Sequence, residues 1–412
     1  MNATTTEEGA AKWLMTPEAI RARSEAITEV GLRGGLSNFA LDLERLESTA
    51  DFVIASIRQN YPTFEIPYHS RWRHFSVGGR DRWAHLAAEL CVDREERARV
   101  QFDLAVVSVL LDAGAGDDWR YREPASGEVY CRSEGLAVAS FDMFVAGLFS
   151  AHADQPLRVD AAALCALTDR ALAAGLQVSA KNPLAGLDGR GDLLRRLGKA
   201  LAQRPGLFGK DAPRVGHLFD YLKRQAEGGR LPARAILAAV LEGLGPIWPG
   251  RITLGGLNLG DSWRHPAAGG QGPSRGLVPF HKLSQWLTYS LIEPLEEAGV
   301  RVEGLESLTA LAEYRNGGLL VDMGLLVPKN PVVTASAHEP GSEVIVEWRA
   351  LTVTLIDRLA ERVRGKLDLD ATALPLPKIL QGGTWAAGRR IARQLRAGGG
   401  PPIRLISDGA VF

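Results

Sequence analysis

The sequence predicts a mostly α-helical protein: a multi-helical single globular unit with at most short strands. Three observations lead there. Apolar residues recur at three- and four-residue spacing over long stretches, the repeat of a helix with one buried face. Few segments alternate with period two; RITLGGL (251–257) and RLISDGAV (404–411) are the best strand candidates, and both are short. No βαβ rhythm, GxGxxG or GxxxxGK[ST] occurs, which argues against a Rossmann or P-loop nucleotide fold.

Taken in order, residues 1–15 read as a flexible tail and residues 16–412 as one helical unit. Thr16-Pro17-Glu18 is a good helix start, with a capping hydroxyl and a first-turn proline. Phe39, Leu41, Leu43, Leu46, Ala50, Phe52, Val53 and Ile57 continue the helical spacing to about Gln59. Residues 61–80 break it with two prolines and Gly78-Gly79. Helical text resumes over 81–114, then over 134–151, 160–175, 192–203, 214–226 and 231–242, the last opening with Pro232. Residues 245–279 are dense in Gly and Pro yet carry Trp248, Trp263, Arg264 and His265, so they read as an ordered loop suited to a lid over a pocket. Helices over about 280–298 and 340–364, and over QGGTWAAGRRIARQL (381–395), complete the chain.

Composition narrows the function. The chain has 412 residues, 46% of them hydrophobic, which is ordinary for a globular protein. Lys plus Arg equals Asp plus Glu at 48 each, so no net charge is available to hold a polyanion, which counts against nucleic acid as partner. Cys91, Cys131 and Cys165 form no CxxC pair. The first residues lack the basic start and apolar run of a signal peptide, and no apolar stretch is long enough to span a bilayer. The expected location is the cytoplasm, with no membrane partner; the oligomeric state is left open. The histidines show neither HExxH nor any paired spacing, so no metal site is expected, and no GxSxG elbow occurs.

Five clusters carry chemistry. Tyr68-His69-Ser70-Arg71-Trp72-Arg73-His74-Phe75 combines arginine forks, which bind phosphate bidentately, with rings that stack on a base or sugar. The same text also fits a helix end whose arginines pair with carboxylates. Asp117–Glu123, with Trp119 at its centre, has the same character, and Glu134 nearby suits the first turn of a helix. Asp261–His265 sits in the glycine-rich loop. Lys282 begins a helix, where the dipole opposes a cation unless an anion is shared. Glu313-Tyr314-Arg315-Asn316-Gly317-Gly318 ends an apolar helical stretch, and Asp322 follows. Glu313 and Asp322 form a candidate carboxylate pair, the groups that glycosidic cleavage uses to stabilise an oxocarbenium-like transition state. Solvated charges at a helix cap are the alternative.

The strings IPYHSRWRHFSVGGRDRW, DAGAGDDWRYREPASG, GDSWRHP, VPFHKLSQWLTYSLIEPLEEAG, LTALAEYRNGGLLVDMGLL and PLPKILQGGTWAAGR resemble the uracil-catabolism family 4 proteins of fungi and bacteria. The resemblance runs over roughly residues 15–412. It implies a place in a pathway that degrades uracil through ribosylurea. A more distant resemblance, carried by Phe-x-Lys near 280 and by Leu308-Thr309…Glu313-Tyr314-Arg315, is to the queuosine 5′-phosphate N-glycosidases. Those are all-helical, similar in shape to helical DNA glycosylases, and cleave the N-glycosidic bond of a nucleoside 5′-phosphate. By this resemblance Glu313 stands where they carry a catalytic Asp, Lys282 matches a substrate-approaching Lys, and Trp119–Tyr121 corresponds loosely to their aromatic loop. The proline that follows their Tyr-Arg-x is absent here.

The expected function is therefore hydrolysis of the N-glycosidic bond of ribosylurea or its 5′-phosphate, releasing urea and ribose or ribose phosphate without a cofactor. Glu313 and Asp322 are the candidate catalytic residues. Tyr68, His69, Arg71, Arg73, His74, Trp119, Lys282, Tyr314, Arg315 and Asn316 are the candidate residues for binding a small phosphorylated ribosyl substrate. An amidohydrolase or deaminase acting on a ring-opened pyrimidine nucleotide, and a non-catalytic nucleotide-binding protein, are the alternatives.

Overall fold

The Thr16 hydroxyl accepts the Ala19 N–H at 3.2 Å and Pro17 fills the first turn, so the helix Pro17–Leu32 starts where the sequence places it. The structure, a computed structural model, describes residues 6–406. It is 57% helical and 9% strand, and its strands are two or three residues long and paired in twos. The mostly α reading holds. Among the described residues the contacts cluster into two compact units, one made of residues 6–69, Gly250–Gln285 and Gly304–Ile406, the other of Ser70–Pro249 and Trp286–Glu303.

In the first unit the helix Glu343–Leu367 is the central element. Its buried face, which includes Ile345, Val346, Ala350, Leu351, Val353, Leu355 and Ile356, packs against Pro17–Leu32 and Leu46–Asn60. Thr28 and Thr354, both buried, meet hydroxyl to hydroxyl at 2.6 Å across that contact. A shorter helix, Tyr314–Asp322, lies against both Glu343–Leu367 and Trp385–Leu395. Glycines permit this. A Cβ on Gly317 would stand 2.6 Å from the Trp348 indole nitrogen and 2.7 Å from the Thr352 hydroxyl, and one on Gly388 would stand 2.4 Å from the Arg315 carbonyl oxygen.

Three local expectations are corrected in this unit. Within 1–15, Glu7–Leu14 is a helix and not a tail. The Thr6 hydroxyl caps it by accepting the Gly9 N–H at 3.1 Å, and Ala10, Ala11 and Leu14 are buried, Ala11 and Leu14 clustering with Leu259 and Leu277. Residues 1–5 lie outside the described residues. Phe39–Leu41 is a strand, antiparallel to Leu326–Pro328, because the Asn38 and Phe39 N–H groups bond the buried Glu347 carboxylate at 3.1 and 2.9 Å and tertiary pairing overrides the helical spacing. Glu313 begins a helix instead of ending one. The strand expectation for RITLGGL holds as a hairpin of Thr253–Leu254 with Leu257–Asn258. Arg404–Leu405 pairs in parallel with Ala337–His338, and the end of the second strand candidate lies outside the described residues.

In the second unit Arg94–Leu110 is buried on almost every side and packs against Arg132–Val145 and His217–Gln225. Its buried Asp103 accepts the Arg214 Nε–H at 2.6 Å and the Gly216 N–H at 2.7 Å. Arg230–Pro232 pairs in parallel with Arg301–Glu303.

Candidate functional site

Glu313 is 9% exposed and sits at the N-cap of Tyr314–Asp322 with an extended backbone. Its two carboxylate oxygens accept the Arg315 and Asn316 N–H groups at 2.7 and 2.6 Å, satisfying two donors that a helix start leaves open. Burial raises its pKa above the ordinary carboxylate value; those two N–H bonds and the charges of Lys282 and Arg315 oppose the rise. Lys282 opens its own helix, and its N–H donates to Asp261 Oδ2 at 3.0 Å.

His69 lies within the same field. It is 4% exposed, its Nδ1 is 2.9 Å from Gln381 Oε1, and its ring tilts against Trp385 with centroids 5.6 Å apart. Gln381 Nε2 donates to the Tyr61 hydroxyl at 3.3 Å, which turns the amide oxygen toward the imidazole and places the ring proton on Nδ1. Burial first, then the Lys282 charge, pull its pKa from about 6.5 to about 4, against the Gln381 bond, so the ring is neutral. Gln381 belongs to a π-helical turn, Leu380–Thr384, and such turns often occur at functional sites. From the same turn the Thr384 hydroxyl donates to Asn316 Oδ1 at 2.8 Å. Tyr314 is 37% exposed with the Arg315 guanidinium 5.2 Å above its ring, and Tyr68 carries the Lys378 ammonium 5.9 Å above its ring.

Among the sequence candidates, then, Glu313 and His69 each feel the charge of Lys282, and Arg315 and Asn316 are bonded through Glu313. Asp322 is committed elsewhere: Arg396 grips both its oxygens at 2.8 and 2.5 Å, which makes it a structural ion-pair member.

The arginines of 68–75 are also committed, within the second unit. Arg71 is fully buried, with Asp112 at 3.0 Å, the Ser108 hydroxyl at 2.7 Å and the Ser133 hydroxyl at 3.2 Å, so its charge is neutralised internally. Arg73 donates to Glu293 at 2.7 Å, and the same carboxylate accepts the Ser70 hydroxyl at 2.7 Å. His74 is buried edge-on to Trp286, centroids 5.6 Å apart. Trp119 has no exposed surface, and its indole N–H is used by the Leu176 carbonyl at 2.9 Å, so no ring face is left for a ligand.

The family model described as "Protein of unknown function (DUF1688)" matches residues 13–412. The chain belongs to this family. It is 40% identical over 410 residues to "Protein urg3" of Schizosaccharomyces pombe (strain 972 / ATCC 24843), covering 97% of this chain and 98% of that relative. It is 38% identical over 409 residues to "Uracil catabolism protein 4" of Lachancea kluyveri, covering 91% of this chain and 92% of that relative.

Within this DUF1688 chain, one group could resemble a metal site. His265, Glu343 and Glu347 bring their ligand atoms within 4.8 Å of one another. His265 Nδ1 accepts the Ala267 N–H at 3.1 Å, and its Nε2 faces Glu347 Oε2 at 3.7 Å. No helix among the described residues is long and apolar enough to cross a membrane.

Sequence reasoning missed three residues here. Gln381 and Thr384 sit in a glycine-containing helical text whose π geometry leaves no spacing signal. Arg349 was legible in principle, as a cation inside the apolar run VIVEWRALTVTL. The glycine-rich loop was expected to be a lid. Instead Leu259, Trp263, Ala268, Leu277 and Val278 are buried, and Ser262–Arg264 pairs with Leu277–Pro279, so the segment is anchored.

Proposed function

We propose that this protein hydrolyses the N-glycosidic bond of ribosylurea or its 5′-phosphate as a step of uracil catabolism. Glu313 carries the reading. It is a buried carboxylate, held in place by two backbone N–H groups and set in the field of Lys282, in a chain similar over nearly its whole length to a protein named for uracil catabolism. As the C1′–N bond breaks, positive charge develops on the ring carbon and oxygen, and an anion fixed beside it lowers the barrier because that charge is absent from the ground state. Water supplies hydroxide to C1′ and a proton to the departing urea nitrogen, giving urea and ribose or ribose phosphate. Neutral His69, with its proton held on Nδ1 by Gln381, adds an uncharged polar ring to the site. Lys282 supplies the cation for an anionic part of the substrate.

The deciding experiment incubates the protein with ribosylurea, its 5′-phosphate and common nucleotides and assays urea and the released sugar. Urea from the first two, abolished by Glu313→Gln, supports the reading. Ammonia as the first product, or binding without turnover, refutes it.

A further inference from the structure

Asp261 and Arg349 form a buried pair, with side chains 8% and 2% exposed, and a buried pair needs a reason beyond stability, since well-packed apolar residues often do as well. The guanidinium places NH1 2.8 Å from Asp261 Oδ1 and NH2 2.7 Å from Oδ2, and its Nε donates to the Ala312 carbonyl at 3.2 Å. Ala312 is the residue before Glu313. On the other side, three consecutive N–H groups converge on Asp261: Phe280 and His281 on its carbonyl at 2.9 and 3.4 Å, and Lys282 on Oδ2 at 3.0 Å. The Trp263 indole N–H adds a bond to Oδ1 at 2.7 Å, so each carboxylate oxygen accepts twice and its hydrogen-bonding capacity is filled. His281 holds φ +47, a left-handed conformation that a side chain rarely adopts, and its Nε2 is 3.0 Å from the Leu14 carbonyl. The guanidinium also stacks 4.1 Å from the Phe280 ring.

We infer that Arg349 and Asp261 are positioning residues that tie the backbone at Lys282 to the backbone at Glu313, fixing the cation and the carboxylate of the candidate site in one geometry. The inference rests on the glycosidase reading for its kinetic consequence. The tie itself consists only of the bonds above. Both ends of the bridge reach main-chain atoms, so it constrains where the two side chains start without using their functional groups. Asp261 carries no function of its own here; its oxygens are all occupied.

The test uses Arg349→Lys, which keeps the charge against Asp261 but removes the fork and the bond to Ala312. Misplacing a catalytic group by about 1 Å costs on the order of 10²-fold in rate. The expected result is a fall of that size in kcat for urea release, with KM little changed. Adding Arg349→Lys to Glu313→Gln should cost nothing further, because the group being positioned is already gone. Amide exchange should quicken in both 280–286 and 311–318. Arg214→Lys is the control, since it disturbs a comparable buried pair with Asp103 in the other unit and should lower thermal stability without changing kcat. Additive losses in the double variant, or rate losses in both single variants that merely follow their stability, overturn the inference. If the wild-type protein releases no urea, the glycosidase reading fails and exchange alone judges the tie. Faster exchange in both segments upholds it; a change confined to one or to neither overturns it. Should Arg349→Lys fail to fold, Asp261→Asn is read in the same way.

Discussion

Acidifying the protein from pH 7 to pH 5 should cost about 2 kcal/mol of folding stability through His69 alone. Burial has drawn its pKa from about 6.5 to about 4, so the unfolded chain takes up a proton in this interval and the folded one does not. The contribution is intact above the unfolded value, declines as pH falls below 6.5, and reaches its full loss below about 4. The whole-protein profile conceals it. Burial pushes Asp103 and Asp357 up to about 6, against Arg214 and Arg21 respectively, so each binds its proton more readily when folded and contributes about 1 kcal/mol in the opposite direction over the same range. The measurement is therefore a difference: urea denaturation of wild type and of His69→Gln at both pH values. The variant keeps an amide for Gln381 but cannot titrate. It should lose about 2 kcal/mol less than wild type on acidification. A difference below about 0.5 kcal/mol would mean that His69 is solvated well enough to protonate in the folded state, and its neutral state in the site would fall with it.

Glu313→Gln should lower the rate of urea release by about 10²–10⁴ with substrate binding nearly unchanged, whereas Asp322→Asn should cost about 1–3 kcal/mol of stability, by ungripping Arg396, and leave kcat alone; steady-state kinetics beside thermal melts separate the two. Arg73→Ala should change KM equally for ribosylurea and its 5′-phosphate, because Glu293 already holds that guanidinium; a selective loss on the phosphorylated substrate would refute this placement. Gly317→Ala should destabilise the fold by about 1–3 kcal/mol, read from the denaturation midpoint, because its Cβ has no room against Trp348 and Thr352.

Helical text was legible because amphipathic spacing is a local property, and the helices at 17–32, 46–60 and 343–367 needed only that. Phe39–Leu41 was not, since its conformation is set by a carboxylate 308 residues away. Lys282 could be named from the sequence because it sits at a helix start, where a charge has a local electrostatic meaning, whereas Glu313 was named as a carboxylate beside Tyr, Arg and Asn and by a resemblance, and its place at a helix start came only with the fold. Arg71 and Arg73 misled for a related reason. Arginine beside aromatic residues has the same composition whether it faces a ligand or an internal carboxylate, and only the fold supplies Asp112 and Glu293. Asp261 and Arg349 stand 88 residues apart, so nothing in either neighbourhood announces the pair.

The first unit draws on three separated stretches of chain, and this bears on how the protein is made. The helix Pro17–Leu32 leaves the ribosome early, but the face it packs against lies in Glu343–Leu367, and the Thr28–Thr354 contact spans 326 residues. At about 5–20 residues per second, that partner arrives roughly 15–65 seconds later. Until then the part of Pro17–Leu32 that packs on Glu343–Leu367 has no native surface to cover it. The nascent chain thus spends most of its synthesis with that apolar face open to chaperones, while Arg94–Leu110 and its neighbours, whose partners lie nearer in sequence, can close first. Slowing translation after residue 343 would lengthen the exposure, and a ribosome stalled there would hold a chain whose second unit is foldable and whose first is not.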